Sequence, residues 1–210
     1  MTRIAILGSG NVARALAGPL AARGHAVVLG SRTPGGSTWG GDGVAVASPA
    51  DAAARAEIVV NALPGAVSVR ALADLRGSLA GRILVDVANG VRIGDDGFAT
   101  ELLHPGSSLA EQIQAALPAT FVVKALNTMH VSLMADPGSL PTPPTAFVSG
   151  DRAEARRAAG RFLADLGWRP EWVVDLGGLV TARWTETFPL VVRPLVGALG
   201  PVPFGLAIAH

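Results

Sequence analysis

The turn at residues 8–13 limits the possible folds more than any other stretch of the chain. Its pattern is Gly8-x-Gly10-x-x-Ala13, between an apolar stretch at 3–8 and an Ala- and Leu-rich segment. Gly8 permits a tight turn, Gly10 lets a pyrophosphate approach the backbone, and Ala13 lets helix and strand pack closely. Free N–H groups at the start of the helix bind the anion. The turn predicts a Rossmann-type dinucleotide site; an ordinary glycine turn in a nucleotide-free α/β sheet is the alternative.

Apolar stretches alternate with helix-like segments along most of the chain. Strands are predicted at 3–8, 25–30, 44–47, 57–64, 82–89, 121–128, 145–150 and 171–176, and helices at 11–24, 49–56, 66–79, 108–117 and 152–166, with a helical region from 179. Gly18-Pro19 is expected to kink the first helix or split off its last turn. Continuous apolar strands joined through helices form parallel sheets covered on both faces. The fold class is therefore predicted as α/β, a doubly wound, mostly parallel sheet with a small C-terminal helical extension.

An arginine follows the second predicted strand, where a dinucleotide-binding protein often has an acidic residue. Arg32 lies at about the ~20-residue interval from the glycine turn at which such folds place the residue that contacts the adenosine ribose. An acidic side chain there repels a 2′-phosphate, whereas a guanidinium forms charge-assisted hydrogen bonds with one. Ser31 and Thr33 add two hydroxyl groups beside it. The segment favours NADP(H) as the cofactor; a solvated loop arginine is the alternative.

Composition argues against several classes of protein. The 210 residues suffice for one substantial domain with an appendage, and the net charge of +1 argues against a nucleic-acid partner. The absence of cysteine excludes disulfides and thiolate chemistry, and the spacing of the four histidines does not suggest a metal site. An apolar strand begins where a signal peptide would stand, and prolines and glycines interrupt the long uncharged stretch near the end. We expect a cytoplasmic protein without a membrane partner.

Five blocks occur in a characteristic order: LGSGNVARAL, GHAVVLGSR, VVKALNT, FVSGD and DLGGLVTARWTE. Together they resemble the NADPH-dependent coenzyme F420 reductases, that is, the F420-dependent NADP oxidoreductases and their bacterial relatives. The resemblance covers nearly the whole chain. It implies an NADP-binding Rossmann domain at 1–150 and a C-terminal strand and helix region at 151–210, which completes an acceptor pocket and a dimer interface. The implied reaction is hydride transfer between NADP(H) and a deazaflavin, coenzyme F420, or a flavin-like acceptor.

The motifs and the resemblance together assign residues to the two ligands. The residues assigned to NADP(H) are Gly8, Ser9, Gly10, Asn11, Val12, Ser31, Arg32, Thr33, Ala62, Leu63, Pro64, Asn89, Ala125 and Asn127. Those assigned to the acceptor pocket are Gly177, Leu179, Thr181, Arg183 and Glu186. The family usually has a helix after its Ser-Arg pair, whereas this chain has a glycine-rich loop at 34–43. In that loop Trp39 either stacks on the adenine or anchors the loop.

Hydride transfer between two bound cofactors mainly requires the two carbon centres to face each other with water excluded. Asn127, Thr128 and His130, after the sixth predicted strand, are the candidates for positioning them. His130 would protonate a reduced ring or orient a carboxamide, unless it caps a helix or lies at the surface. Lys124 is interpreted as structural, because it lies in a strand on the face opposite Asn127. Asp86 is interpreted as a structural hydrogen-bond acceptor, with contact to the substrate as the alternative.

Two other functions remain open. Pyrroline-carboxylate reductases share the early Gly-x-Gly-Asn pattern, which allows an NADPH-dependent reductase of a small imine or ketone. A non-catalytic NADP(H)-sensing protein is the other alternative, although the intact glycine turn favours an enzyme. The C-terminal region has more apolar side chains than a thin appendage can bury, so a homodimer is predicted; they are Trp184, Phe188, Leu190, Val191, Leu195 and Leu199.

Overall fold

The computed structural model describes residues 1–34 and 43–209. Its strands are β1 (Arg3–Leu7), β2 (Ala26–Gly30), β3 (Val44–Ala47), β4 (Ile58–Asn61), β5 (Ile83–Asp86), β6 (Val91–Ile93), β7 (Ala99–Leu102), β8 (Phe121–Lys124), β9 (Ala146–Ser149) and β10 (Val173–Gly177). Its helices are α1 (Asn11–Ala22), α2 (Pro49–Arg55), α3 (Gly65–Ala73), α4 (Arg76–Leu79), α5 (Leu109–Ala116), α6 (Ala153–Asp165), α7 (Ala182–Thr185) and α8 (Pro189–Leu199).

Eight of the strands form one sheet in the order β10-β9-β8-β5-β4-β1-β2-β3. Neighbouring strands in it are parallel, except that β9 is antiparallel to β8. The chain adds β2 and β3 on one side of β1 and then crosses to β4, β5 and β8 on the other. A sheet with such a reversal has a crevice at the carboxyl ends of its central strands, where ligands bind. The prediction of a doubly wound, mostly parallel sheet is confirmed.

The hydrophobic core consists of two layers, one on each face of the sheet. Alternate side chains of β1 serve the two layers: Ile4 and Ile6 pack with α1 and α6, while Ala5 and Leu7 pack with α2 to α5. This period of two is the ordinary consequence of strand geometry. The two layers cover both faces of β1, β4, β5 and β8, which explains why these strands are continuous apolar runs.

The structure corrects three local predictions. Helix α1 continues through Pro19 to Ala22 instead of losing its last turn, and the helix predicted at 66–79 is divided into α3 and α4. The strand predicted at 121–128 ends at Lys124, since Leu126 has a φ of 60°. The left-handed region is costly for a side chain with a Cβ and cannot continue a strand. In addition, β6 and β7 form a two-stranded antiparallel hairpin in a segment for which the sequence predicted neither a strand nor a helix.

The C-terminal region returns to the edge of the sheet. Residues 204–206 pair with 128–130: the His130 N–H donates to the Phe204 carbonyl over 2.8 Å, and the Leu206 N–H to the Thr128 carbonyl over 3.0 Å. Helix α8 packs on the β6–β7 hairpin, where Arg193 forms an ion pair of 3.1 Å with Asp96. The helical region predicted from residue 179 is present and lies beside the carboxyl-end crevice.

Candidate functional site

A cleft of about 1120 Å³ lies at the carboxyl ends of the central strands. The glycine turn forms one wall. Gly8 has a φ of 125°, and a Cβ there would lie 2.7 Å from the Ala62 carbonyl oxygen, so no larger residue fits. A Cβ on Gly10 would meet no atom within 4 Å, which leaves open space directly above the turn. The backbone is therefore accessible to a ligand at Gly10 while Gly8 closes the turn.

The first helix presents an unsatisfied N-terminus to this open space. Helices α2 and α5 each have a serine cap: Ser48 accepts from the Asp51 N–H, and Ser108 from the Glu111 N–H. Helix α1 has Gly10 as its cap, without a side-chain hydrogen bond, and no acidic residue in its first turn. The first N–H groups of a helix and its dipole attract an anion. The α1 N-terminus therefore suits a phosphate group.

Arg32 lies at one end of the cleft, just after β2. Its side chain is exposed, it lines the cleft, and it has no hydrogen-bond or ion-pair partner among residues 1–34 and 43–209. Ser31 beside it is buried, and its hydroxyl accepts a hydrogen bond from the Thr33 N–H over 3.2 Å. Because no described residue neutralises Arg32, its guanidinium can bind an anionic group of a ligand. Residues 35–42, including Trp39, lie outside the described residues.

A buried ion cluster lies beneath the middle of the cleft. Asp86 and Lys124 are opposite each other on β5 and β8, and the Lys124 ammonium contacts Asp86 Oδ2 at 2.7 Å and Glu186 Oε1 at 2.8 Å. All three side chains are at most 4% exposed. The third donor of the ammonium goes to the Ala88 carbonyl, while Asp86 Oδ1 accepts the Ala88 N–H over 3.2 Å. The cluster fixes both polar backbone groups of Ala88, which lines the cleft.

Burial and neighbouring charges shift the pKa values of Lys124 and Asp86 in opposite directions. Burial lowers the pKa of Lys124, but the attraction of Asp86 and Glu186 is greater in sum, so the pKa lies above its usual value. Burial raises the pKa of Asp86 despite the opposing effect of Lys124. Both Asp86 oxygens accept hydrogen bonds, from Lys124, Ala88 and Asn61, which is the pattern of an ionised carboxylate. The ammonium is therefore held in its charged form between two acceptors.

The cleft is lined by most of the residues assigned to NADP(H). They are Gly8, Ser9, Gly10, Asn11, Val12, Ser31, Arg32, Ala62, Leu63, Pro64 and Asn89. Thr33, Ala125 and Asn127 do not line it. Asn127 is 4% exposed and contacts the cleft only through Asn89. The Nδ2 of Asn127 donates to Asn89 Oδ1 over 3.0 Å, and the Nδ2 of Asn89 donates to the backbone carbonyl of Asn127 over 3.2 Å. Asn127 thus orients the Asn89 amide, and Ala125 is part of the core.

Neither Thr128 nor His130 faces the cleft. Thr128 is buried and lines a separate apolar depression of about 330 Å³. His130 is exposed and caps a short turn, in which its Nδ1 accepts the Ser132 N–H over 3.3 Å. Met129, between them, lines the cleft. Alternation along this extended segment directs residue 129 to one side and residues 128 and 130 to the other.

The five residues assigned to an acceptor pocket do not line the cleft. Arg183 forms a bidentate pair with Glu111, at 2.9 and 2.7 Å, and Glu186 accepts the N–H groups of Leu109 and Ala110 at the start of α5. Leu179 is buried, the Thr181 hydroxyl donates to Ser149 Oγ over 2.7 Å, and Gly177 turns with a φ of 81°. These contacts join α7 and the preceding turn to α5 and the sheet. We describe them as structural contacts.

A further part of the cleft wall comes from residues that the sequence did not single out. It consists of Val91, Arg92, Ile93, Gly97, Phe98 and Ala99 of the hairpin, Leu103, Met129, Val131 and Met134, and Pro189 and Val192 of α8. The hairpin's strands have only three and four residues, which is too few for periodicity to predict a strand. The cue available in the sequence was the position of this segment directly after a predicted sheet strand.

The described residues contain neither a candidate metal site nor a candidate membrane-spanning helix. Residues 1–34 and 43–209 contain no group of three or more His, Asp or Glu side chains that could hold a metal ion. Within the same ranges, no helix has the length and apolar character needed to cross a bilayer.

Comparison with known proteins finds a matching family profile and similar solved structures. The profile of the family described as coenzyme F420-dependent NADP oxidoreductase matches residues 3–90. A solved structure from Arthrobacter sp. FB24, named as a candidate F420-dependent NADP reductase, has 40% identity and a TM-score of 0.91, with 100% of each chain covered. Pyrroline carboxylate reductase of Plasmodium falciparum, with NADP bound, has a TM-score of 0.60 at 11% identity, over 94% of this chain and 67% of that one. This last likeness shows the fold alone.

A curated relative is larger than this chain. Metalloreductase STEAP3 of Rattus norvegicus is 32% identical over 193 residues, which cover 91% of this chain and 37% of the rat protein. The chain spans 37–39% of the length of the curated relatives that it matches. Identity of 40% along the full length of the Arthrobacter protein, together with the family profile over β1 to β5, is sufficient for assignment. The chain belongs to the family of coenzyme F420-dependent NADP oxidoreductases.

Proposed function

We propose that the protein transfers hydride between NADP(H) and a flavin-like acceptor, with the deazaflavin coenzyme F420 as the acceptor that the family favours. One observation supports this most strongly. A single cleft combines an open pyrophosphate turn and Arg32, which has no partner among residues 1–34 and 43–209, with an apolar wall of hairpin and α8 residues. Both ligands would therefore lie in the same cleft, as direct transfer requires.

NADPH supplies a hydride ion when bound, and the acceptor takes up this hydride and one proton from solvent, which leaves NADP⁺ and a two-electron-reduced acceptor. The residues of the chain bind the two ligands and orient them. The α1 N-terminus would hold the pyrophosphate, Arg32 the 2′-phosphate, and Asn89, oriented by Asn127, would contact the nicotinamide half. The apolar side chains Phe98, Met129 and Val192 would exclude water. No side chain is required to transfer a proton, which agrees with the positions of Thr128 and His130 away from the cleft.

The acceptor site proposed here differs from the one implied by the resemblance. Gly177, Leu179, Thr181, Arg183 and Glu186 are replaced in this role by the hairpin and the start of α8. Residues 151–210 still contribute, because Pro189 and Val192 belong to the cleft wall. This supports the assignment of 1–150 as the NADP-binding part and of 151–210 as the part that completes the site.

A direct assay tests the proposed function. Purified protein is mixed with NADPH and coenzyme F420, and in parallel with NADPH and FMN, while the absorbance of NADPH and of the acceptor is followed. Stoichiometric loss of both absorbances supports the proposal. NADPH binding without oxidation by either acceptor would favour the sensing alternative. Oxidation only by cyclic imines or small ketones would favour the imine or ketone reductase.

A homodimer is also proposed, on the basis of the C-terminal surface. No residue of α8 is buried, and Trp184 is 75% exposed beside the apolar depression lined by Phe188, Val191 and Leu206. Contiguous exposed apolar surface of this kind marks an interaction site. A second copy of the chain is the occupant that the resemblance implies.

A further inference from the structure

The proposed function assigns no role to Arg92, although it lines the cleft. Arg92 lies on β6, which begins directly after the 87–90 segment at the end of β5. We propose that Arg92 binds an anionic group of the second substrate, and that the enzyme therefore selects ring acceptors with a phosphate on the ribityl chain over neutral ones. This inference depends on the proposed function for the identity of the ring, but Arg92 can be tested separately through binding.

The position of Arg92 separates it from the phosphates of NADP(H). Among the described residues that line the cleft, Arg32 and Arg92 are the cations and Asp74 is the carboxylate. Arg32 follows β2, whereas Arg92 lies on β6 in the hairpin that follows β5. In the sheet, β2 lies on one side of β1 and its glycine turn, and β4 and β5 lie on the other. The two arginines therefore follow strands on opposite sides of the glycine turn, and we assign them to different ligands.

The Arg92 side chain is oriented but not fully engaged. Its Nε donates to Glu101 Oε1, on the residue paired with it across the hairpin. The Arg92 side chain is 65% exposed, and its two Nη groups have no partner in the described part of the chain. Nearby Asp96 is paired with Arg193, which reduces the repulsion an incoming anion would meet. A guanidinium fixed through Nε still presents two parallel N–H donors, the geometry that phosphate requires.

The surroundings of Arg92 specify the rest of the ligand. Ile93 is 58% exposed and Phe98 lies across the same hairpin, and both line the cleft together with Met129 and Val192. Such apolar walls favour a flat ring system, while Arg92 favours an anion attached to it by a short polar chain. FMN and coenzyme F420 share this chemistry, since each has a phosphate on the ribityl chain of its tricyclic ring.

The experiment pairs each phosphorylated compound with its neutral counterpart. Dissociation constants of FMN and riboflavin, and of F420 and its dephosphorylated chromophore, are measured by fluorescence in the presence of NADP⁺. A charge-assisted hydrogen bond contributes about 1.5–3 kcal/mol, so wild type should prefer each phosphorylated compound by roughly 10- to 100-fold. Arg92→Gln should abolish that preference, and Arg92→Lys should retain part of it. Preference in only one pair identifies which source of the phosphate the site accepts.

Two control variants separate the inference from its alternatives. Arg157→Gln removes an exposed arginine of α6 that is paired with Glu154 and does not line the cleft, and it should leave the preference unchanged. Arg32→Gln should weaken NADP⁺ binding without altering the choice between FMN and riboflavin. An unchanged preference in Arg92→Gln, or no binding by any of the four compounds, overturns the inference. Phosphate-dependent binding without NADPH oxidation supports the binding role proposed for Arg92 and overturns the proposed reaction.

Discussion

At the scale of single residues, Lys124 stands out because a charged side chain lies fully buried between two carboxylates. Removing one partner from a buried ion cluster leaves uncompensated charge, which costs about 3–5 kcal/mol. Lys124→Met should therefore lower the free energy of unfolding by about that amount, measured by denaturant titration. Arg193→Gln, at an exposed pair, should change it by less than about 1 kcal/mol. Equal effects of the two substitutions would show that the cluster is not important for stability.

Gly8 and Gly10 should respond differently to the same substitution. Gly8→Ala combines a φ of 125° with a contact of 2.7 Å to the Ala62 carbonyl, so it should lower the melting temperature. Gly10→Ala meets no atom within 4 Å and should lower the melting temperature less than Gly8→Ala does, since alanine is only a poorer helix cap there. Its methyl group would, however, occupy the space proposed for the pyrophosphate. It should weaken NADP⁺ binding in calorimetry. Unaltered NADP⁺ affinity in Gly10→Ala would contradict the proposed position of the pyrophosphate.

Charged residues also show where reasoning from sequence was insufficient. Arg32 and Arg183 both stand in blocks shared with the family. Arg32 lines the cleft and has no partner in the described part of the chain, whereas Arg183 is bonded to Glu111. The sequence alone does not show which of these two arginines is paired with another side chain of the protein. The difference depends on Glu111, 72 positions away in the chain and adjacent in space.

At the scale of elements, the order of strands and helices was predictable because burial on both faces imposes long apolar runs. The β6–β7 hairpin was not predictable from the sequence, because its strands are short and half exposed. The end of β8 was also missed: ALNT continues the apolar pattern, but the φ of 60° at Leu126 redirects the chain. Tertiary context overrides local propensity at such positions.

The junction between α5 and α7 should depend on pH. Hydrogen bonds from Arg183, which outweigh the effect of burial, hold the pKa of Glu111 below its usual value. A carboxyl with a lowered folded pKa stabilises the protein above its unfolded pKa, and this contribution is lost as the pH falls through the folded value. Glu111→Gln preserves the length of the side chain but not its charge. Its stability should therefore decline less than that of wild type as the pH falls below about 4.3, the usual pKa of a glutamate.

The control for this measurement is Glu101→Gln, which removes a carboxylate from the hairpin without touching α5 or α7. Thermal melts at a series of pH values give the comparison. Parallel stability curves for wild type and Glu111→Gln would contradict an ionic role for the junction.

At the scale of the whole molecule, the C-terminal region connects the cleft with the proposed dimer surface. Pro189 and Val192 of α8 line the cleft, while Val191 of the same helix lines the apolar depression beside Trp184. Val191→Asp should therefore convert a dimer to a monomer in sedimentation at micromolar concentration, because an unpaired charge in an apolar interface is costly. Asp at exposed Val67, on α3, is the matched control and should leave the dimer intact. A monomeric wild type would contradict the dimer itself.

The central claim is that the cleft binds NADP(H) through Arg32. The most direct test is the ratio of kcat/KM for NADPH to that for NADH, measured with a fixed acceptor in wild type and in Arg32→Ala, with Arg55→Ala as a control far from the cleft. Loss of a charge-assisted bond to phosphate should reduce the ratio roughly 10- to 100-fold in Arg32→Ala only. A ratio that stays the same in Arg32→Ala would contradict the assignment.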